Sequence, residues 1–180
     1  MSGFVKLIMP ASFNYTDGMP LASLVDVHSS GIDSQWLTKR AAAGVFKDVD
    51  IKPEKGQAYI HLIAMGDSEA YGQNRNGDIF YKQSRLVDIP NPAHGVSKQL
   101  RINKGNKETH HTFQKYAKVY RNHCNRDPKK AEGEVVKSAH NDEMSRVELI
   151  IKVPEDKWSD DLHKIANGED TTFSMACKIP

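Results

Sequence analysis

Two β-prone segments constrain the fold of this chain more than any other feature. Ala58–Met65 is almost entirely apolar, which is typical of a strand that is buried on both faces. Val147–Val153 is a second strand of this kind, and Val135-Val136 and Thr171–Ile179 are two further β-prone runs. Because strands outnumber helices and do not alternate with them as βαβ units, we expect an α+β or mainly β fold. Its centre would be a mostly antiparallel sheet or an open β-barrel with peripheral helices.

Helices and loops are expected around these strands. Apolar residues at helical spacing predict a helix over Thr109–Tyr120. An acidic first turn and a closing glycine predict a second helix over Pro154–Gly168, and Asp33 is suited to cap a third over 33–43. The stretches 66–78 and 88–108 are rich in turn residues and lack periodicity, so both are predicted to be loops.

Composition and charge favour one soluble domain. A chain of 180 residues with 38% hydrophobic and 27% charged residues can bury a sizeable core. It has no apolar run of membrane-spanning length and no signal-peptide pattern, and its net charge of +2 is too small to indicate nucleic-acid binding. We therefore expect a single domain over 1–180, with a core at 58–179, an N-terminal part at 1–57 outside this core, and strands or an extended arm within 1–30. We expect neither nucleic acid nor a membrane as a partner.

One histidine and one serine are candidates for catalysis. Tyr120–His123 reads as a strand that ends on His123 and opens a polar loop, and Ser174 lies in the middle of the last predicted strand. A serine hydroxyl becomes an effective nucleophile when a neighbouring imidazole accepts its proton. In this pattern Ser174 is the nucleophile, and His123 is first the general base and then the general acid.

A catalytic histidine usually needs a third group that fixes its tautomer and stabilises its charge. Three residues are candidates for that role. Glu148 lies on the strand Val147–Val153, His140 lies beside a predicted chain reversal at 141–143, and Asp127 follows His123 in the loop. The sequence alone leaves these three candidates open.

Metal and cofactor chemistry is not indicated by the sequence. The two cysteines, Cys124 and Cys177, lack the CxxC spacing of a zinc site, and we expect two reduced thiols. His110 and His111 are adjacent on a predicted helix, so their side chains diverge by about 100° and are poor ligands for one ion. The loop Gly72–Asp78 lacks the Lys-Ser/Thr of a phosphate cradle. We therefore expect no cofactor and no metal.

The candidate residues resemble the prohead (head-maturation) proteases of tailed bacteriophages, whose fold is shared with the herpesvirus assembly proteases. The resemblance covers roughly residues 58–178. The chain differs from the family's pattern at two positions: Cys124 stands where an acidic residue is usual, and Ala176 stands where a glycine is common. The segments that carry it occur in the family's order: Gly72–Phe80, Asn122-His123, Gly133-Glu134-Val135 and Phe173-Ser174-Met175.

The resemblance implies a herpesvirus-protease-like fold and a serine endopeptidase of virion assembly. Its substrates would be the scaffolding protein and the N-terminal segment of the major capsid protein, and it would also cleave itself. The enzyme would act in the host cytoplasm, inside the viral prohead, and the herpesvirus relatives imply a homodimer. Since the family's domain continues further beyond the serine than Pro180 does beyond Ser174, we expect the sequence to be truncated at its C-terminal end.

Two other functions are compatible with the sequence. His110-His111, Asn122-His123 and Asn125 imitate an HNH-like metal-dependent nuclease, although a helix is predicted where that motif has a hairpin. The other alternative is a catalytically inactive scaffold or capsid-associated protein that retains the fold. Sensitivity to chelators would favour the nuclease, and inertness with an intact fold would favour the inactive protein.

Overall fold

Short strands dominate the described part of the chain. The computed structural model describes residues 4–8, 22–25, 27–28, 31–32, 46, 51–73, 77–89, 98–121, 127–167, 169 and 174–178. The strands are β1 Phe4–Ile8, β2 Ala22–Leu24, β3 Val27–His28, β4 Gly31–Ile32, β5 Gln57–Gly66, β6 Arg85–Ile89, β7 Lys98–Ile102, β8 Lys118–Tyr120, β9 Ala131–Asn141, β10 Arg146–Pro154 and β11 Ser174–Lys178. The helices are α1 Ser68–Tyr71, α2 Asn106–Thr109, α3 His111–Tyr116 and α4 Glu155–Ala166, and a 3₁₀ turn covers Pro128–Lys130.

A five-stranded sheet in the order β2-β5-β10-β9-β8 forms the centre of the described structure. β10 is its middle strand and pairs with both β5 and β9. Three two-stranded sheets, β1-β11, β3-β4 and β6-β7, accompany it. Each pairing between described strands is antiparallel, and these sheets are not closed into a barrel. The prediction of an α+β fold with mostly antiparallel sheets is therefore confirmed.

The strands β5 and β10 bury side chains on both faces of the sheet, as their apolar runs predict. On one face, Ile60 and Leu149 belong to a core that α4 covers with Trp158 and Ile165. On the other face, Tyr59 and Ile150 pack in a second core. Its other buried members are Val25, Phe46 and Ile51. The acidic first turn of α4 follows Pro154 directly, which confirms the helix predicted over this region.

Several predicted elements differ from the structure. The loop prediction for 88–108 is wrong for the described residues, because β6 and β7 pair over five positions and α2 begins at Asn106. Most of the described side chains of the β6-β7 ribbon are exposed, with Leu86 at 59% exposure, so this ribbon lacks the long buried run that identifies β5 and β10 in the sequence. The predicted loop 66–78 contains the short helix α1. The predicted helix 33–43 lies outside the described residues.

The helix prediction for Thr109–Tyr120 is correct only in part. The helix α3 ends at Tyr116, Ala117 is extended, and the next three residues form β8 at the edge of the central sheet. Pairing with β9 therefore overrides the helical spacing at this end. None of the helices in the described ranges is both long and apolar enough to span a membrane.

Candidate functional site

The two residues of the predicted catalytic pair differ in how far the structure describes them. His123 lies outside the described residues. Ser174 is the first residue of β11, where its backbone is paired opposite Ile8 of β1, and this confirms that Ser174 lies on a strand. Of the two cysteines, Cys177 lies opposite Val5 in the same pairing. The catalytic roles of Ser174 and His123 stay predictions.

The segment that contains His123 begins at an anchored arginine. Arg121 follows β8 directly and precedes His123 by two positions. Its Nε donates to Glu132 Oε2 on β9 at 3.1 Å. Its Nη2 donates to two acceptors on α4, the carbonyl oxygen of Lys157 at 2.6 Å and Asp161 Oδ2 at 2.7 Å. The end of β8 is thus connected to both β9 and α4.

An aromatic ring completes this arrangement, which we call the Arg121 clamp (Arg121, Glu132, Trp158 and Asp161). The guanidinium carbon of Arg121 lies 4.8 Å from the centre of the Trp158 ring, within the range of a cation–π contact. Trp158 Nε1 donates to the same Glu132 oxygen at 3.0 Å. Glu132 Oε2 therefore accepts one hydrogen bond from each of the two stacked side chains.

The far side of the same segment is held by a capped turn. Asp127 Oδ1 accepts a hydrogen bond from the backbone N–H of Lys129 at 3.0 Å, and Pro128 opens the 3₁₀ turn that follows. Proline is favoured at such a start because its backbone has no N–H to satisfy. Asp127, a candidate for the third catalytic residue, is exposed and lies at the end of the His123 segment. The residues on both sides of the segment are therefore fixed by hydrogen bonds.

Gly133, one of the residues that carry the resemblance, allows close strand pairing at the edge of the sheet beside the His123 segment. Gly133 on β9 is paired opposite Val119 of β8. A Cβ atom at Gly133 would collide with the carbonyl oxygen of Lys152 on β10 and would crowd the side chain of Val153. Only glycine therefore allows β8, β9 and β10 to pair this closely without a shift.

Glu148, the second candidate for the third catalytic residue, belongs to a buried polar network on β10. Its Oε2 lies 2.8 Å from His61 Nε2, and its Oε1 accepts from Arg146 Nε at 2.6 Å and from Asn141 Nδ2 at 3.0 Å. Arg146, His61 and Glu148 are 0%, 1% and 2% exposed. Both carboxylate oxygens of Glu148 are thus engaged inside the sheet.

The charge of Glu148 follows from these neighbours. Burial by itself raises the pKa of the carboxyl group, but the hydrogen bond and charge of His61 and the charge of Arg146 outweigh it and lower the pKa to about 2. Glu148 is therefore a carboxylate at neutral pH. Three donors stabilise this buried carboxylate in its present position. A rotation of the side chain towards another partner would break these hydrogen bonds.

His140, the third candidate, lies in a separate buried network. Its Nε2 lies 2.9 Å from Asp67 Oδ2, and Asp67 Oδ1 accepts from Asn106 Nδ2 at 2.8 Å. Its Nδ1 lies 3.4 Å from Asp142 Oδ1 on the turn after β9. Hydrogen bonds from Lys107 and Lys82 lower the pKa of the Asp142 carboxyl group to about 2. His140 is therefore already oriented by Asp67 through Nε2, and its Nδ1 lies near Asp142 without a hydrogen bond to it.

A serine and a histidine outside the predicted pair are also hydrogen-bonded. His110 Nδ1 lies 3.3 Å from Ser138 Oγ on β9. Burial, and then the neighbouring His111 and His140, lower the pKa of the His110 imidazole, so the ring is neutral at pH 7. The His110 and His111 rings lie edge to face, 6.1 Å apart. Within the described ranges no group of three or more histidine, cysteine or acidic side chains is arranged to hold a metal ion.

The sequence interpretation missed the partners of these buried groups. No motif in the sequence identifies His61, Asp67 or Arg146 as members of these networks. The available signal was a charged or titratable residue inside an apolar strand, as with His61 in β5 and Glu148 in β10. Such a residue needs a partner, but the sequence does not say on which strand the partner lies.

Comparisons of this chain with models of known protein families, with curated proteins and with solved structures found no match.

Proposed function

We propose that this chain is a serine endopeptidase of the prohead-protease type, with Ser174 as the nucleophile and His123 as the general base. One observation carries the proposal: the chain is anchored on both sides of His123, by the Arg121 clamp before it and by the Asp127 turn after it. Nucleophilic catalysis needs an imidazole held in one place, because small displacements of a catalytic group cost large factors in rate. The motif order and the strand position of Ser174 support the same proposal.

The chemistry would proceed through an acyl-enzyme. His123 accepts the hydroxyl proton of Ser174 while Oγ attacks the carbonyl carbon of the scissile peptide bond. The protonated imidazole then donates this proton to the leaving amine, and the C–N bond breaks. A water molecule, deprotonated by the same imidazole, attacks the ester, and the acid product leaves as Ser174 recovers its proton. Backbone N–H groups near Ser174 would stabilise the oxyanion.

Asp127 is the third catalytic residue that we favour. Both oxygens of Glu148 are engaged by buried donors, and His140 Nε2 is engaged by Asp67. Asp127 is exposed and lies on the same segment as His123, four positions further on. An acidic side chain there requires no rearrangement of the sheet in order to orient the imidazole.

The biological setting of the proposal comes from the resemblance. The antiparallel α+β architecture is compatible with a herpesvirus-protease-like fold. The proposed substrates are the scaffolding protein, the major capsid protein and the chain itself. Cleavage would take place inside the viral prohead in the host cytoplasm, and the active form would be a homodimer.

The test is co-expression of the chain with the scaffolding and major capsid proteins encoded beside it, with products measured by intact mass. Wild type and Ser138→Ala should give the same cleavage products, and Ser174→Ala should give none. Ser138→Ala is a matched control because Ser138 also lies on a strand and is hydrogen-bonded to a histidine. A fluorophosphonate, which reacts with activated serines, should label the wild type at Ser174.

Each other outcome overturns part of the proposal. Cleavage that survives Ser174→Ala would make the nucleophile assignment wrong. A wild-type chain that neither cleaves these proteins nor reacts with the fluorophosphonate would make the protease proposal wrong.

A further inference from the structure

Arg121 connects β8, which precedes His123 in the chain, to α4, which precedes Ser174. It stands two positions before His123, at the end of β8. Its Nη2 donates hydrogen bonds to Lys157 and Asp161 on α4, a described helix that precedes Ser174 in the chain. A displacement of the β8 end relative to α4 would therefore break contacts of Arg121.

The chemistry of the Arg121 clamp suits this connecting role. Glu132 on β9 and Asp161 on α4 lie on different elements, and the planar guanidinium reaches both of them while it stacks on Trp158. Trp158 is 5% exposed and belongs to the core beneath the helix, so the ring is a fixed platform. Only arginine combines several N–H donors in one plane with a flat face that stacks on an aromatic ring. A lysine could replace one of these hydrogen bonds, but it could not stack on Trp158.

A single exposed ion pair contributes little to stability, and Arg121 is 37% exposed. The value of the arrangement lies in its geometry, because several acceptors and a ring face fix the direction of the side chain. The sharing of Glu132 Oε2 between Arg121 and Trp158 ties the position of the arginine to that of the helix. The effect of losing the clamp should thus appear in the placement of β8 more than in the overall stability.

We propose that Arg121 is a positioning residue that holds the start of the His123 segment against the helix that leads to Ser174. This inference rests on the proposed function. Its consequence is specific: loss of the clamp slows the chemical step at Ser174 and leaves ligand binding almost unchanged. A residue with a merely structural role would instead reduce the fraction of folded protein, without changing the rate per folded molecule.

The experiment measures fluorophosphonate labelling of the full chain as a function of probe concentration, which separates the maximum rate of inactivation from the apparent binding constant. The variants are Arg121→Gln and Arg121→Lys. The matched control is Arg85→Gln, because Arg85 also pairs with a carboxylate, Glu69, and stacks on an aromatic ring, Tyr81. Rates are expressed per folded molecule, from the circular dichroism of each variant.

A second readout follows the clamp itself. The chain has two tryptophans, so in a Trp36→Phe background the emission comes from Trp158 alone. Arg121→Gln should change that emission, since the guanidinium no longer covers the ring, and Arg85→Gln should not. This measurement confirms that the substitution has acted at the intended contact.

Arg121→Gln should lower the maximum rate about 10- to 100-fold and change the binding constant by less than about threefold. Arg121→Lys should retain an intermediate rate, and Arg85→Gln should match the wild type. Equal maximum rates for Arg121→Gln and the wild type would overturn the inference while leaving the proposed function intact. A wild type without labelling would overturn both.

If Arg121→Gln fails to fold, Asp161→Asn replaces it in the same experiment. This variant weakens only the contact of Arg121 with the helix, and it should show a smaller loss in the maximum rate.

Discussion

Glu148 on β10 and His61 on β5 form a hydrogen bond of 2.8 Å inside the central sheet, where each side chain is at most 2% exposed. Since the Glu148 carboxylate can only accept, His61 Nε2 is the donor. The two residues are not directly opposite each other, because Glu148 is paired with Ile63 and His61 with Ile150. They therefore meet across the diagonal of the ladder, on the face of the sheet that lies opposite α4.

The first prediction concerns the contribution of this network to stability. Glu148→Gln removes the negative charge that compensates buried Arg146, and removal of one partner of a buried ion pair typically costs about 3–5 kcal/mol. We expect a loss of this size in the free energy of unfolding, measured by urea denaturation. Glu134→Gln is the control, because Glu134 pairs with Lys118 and Lys152 at the surface and should cost at most about 1 kcal/mol. Equal losses for the two variants would contradict the assignment of Glu148 to a buried charged network.

The second prediction is the pH dependence that follows from Glu148. Its pKa is about 2 in the folded chain against an ordinary value of 4.5 for a glutamate, so between these two pH values the unfolded chain binds more protons. The resulting stabilisation is present above about pH 4.5 and is lost as the pH falls towards 2, with a magnitude of about 3 kcal/mol. Urea midpoints measured from pH 7 to pH 2 should show this loss in the wild type. In Glu148→Gln the same curve should be flatter, and a wild-type curve with no loss below pH 4.5 would contradict the lowered pKa.

The sequence predicts the elements whose signal is local. β5 and β10 follow from their apolar runs, and α4 follows from Pro154 and its acidic first turn. The helical spacing of Phe113, Tyr116 and Ala117 predicts a helix that continues into β8, and only the pairing of β8 with β9 shows a strand there. The exposed ribbon β6-β7 lacks a burial pattern, so its strands follow from backbone pairing alone.

The candidate site was less predictable than the fold. The residue types of Asp127, His140 and Glu148 identify them as candidates, but the partners of the last two lie far along the chain, 73 residues apart for His140 and Asp67 and 87 for Glu148 and His61. Such pairs depend on strand register, and β10 contains an irregularity between Val147 and Glu148 that no residue pattern indicates. Sequence reasoning therefore identified the groups but not the networks that engage them.

The third prediction tests the close approach of strands at Gly133. Gly133→Ala places a methyl group against the carbonyl oxygen of Lys152. This oxygen belongs to the backbone of β10, which cannot move aside as the end of a flexible side chain can. We expect a destabilisation of about 1–3 kcal/mol by urea denaturation, as for other overpacked sites. The fluorophosphonate reaction at Ser174 should also slow, because Gly133 is paired with Val119 in the strand that leads to His123. Glu134→Ala is the control, because it changes the next residue of the same strand, whose side chain lies at the surface, and it should cost at most about 1 kcal/mol. A Gly133→Ala protein as stable and reactive as the wild type would contradict this account of the motif glycine.

The fourth prediction is that Ser174 and His123 act as one unit. If the hydroxyl depends on the imidazole for its reactivity, either single substitution to alanine removes nearly the whole rate, and the double substitution adds little. We expect Ser174→Ala, His123→Ala and the double variant to lose about 10⁴-fold or more in the cleavage rate of the scaffolding protein, to within about tenfold of one another. His163→Ala is the control, because His163 is exposed on α4 and should leave the rate unchanged. Losses that multiply in the double variant would show that the two residues act independently, and the dyad would then be wrong even if the chain is a protease.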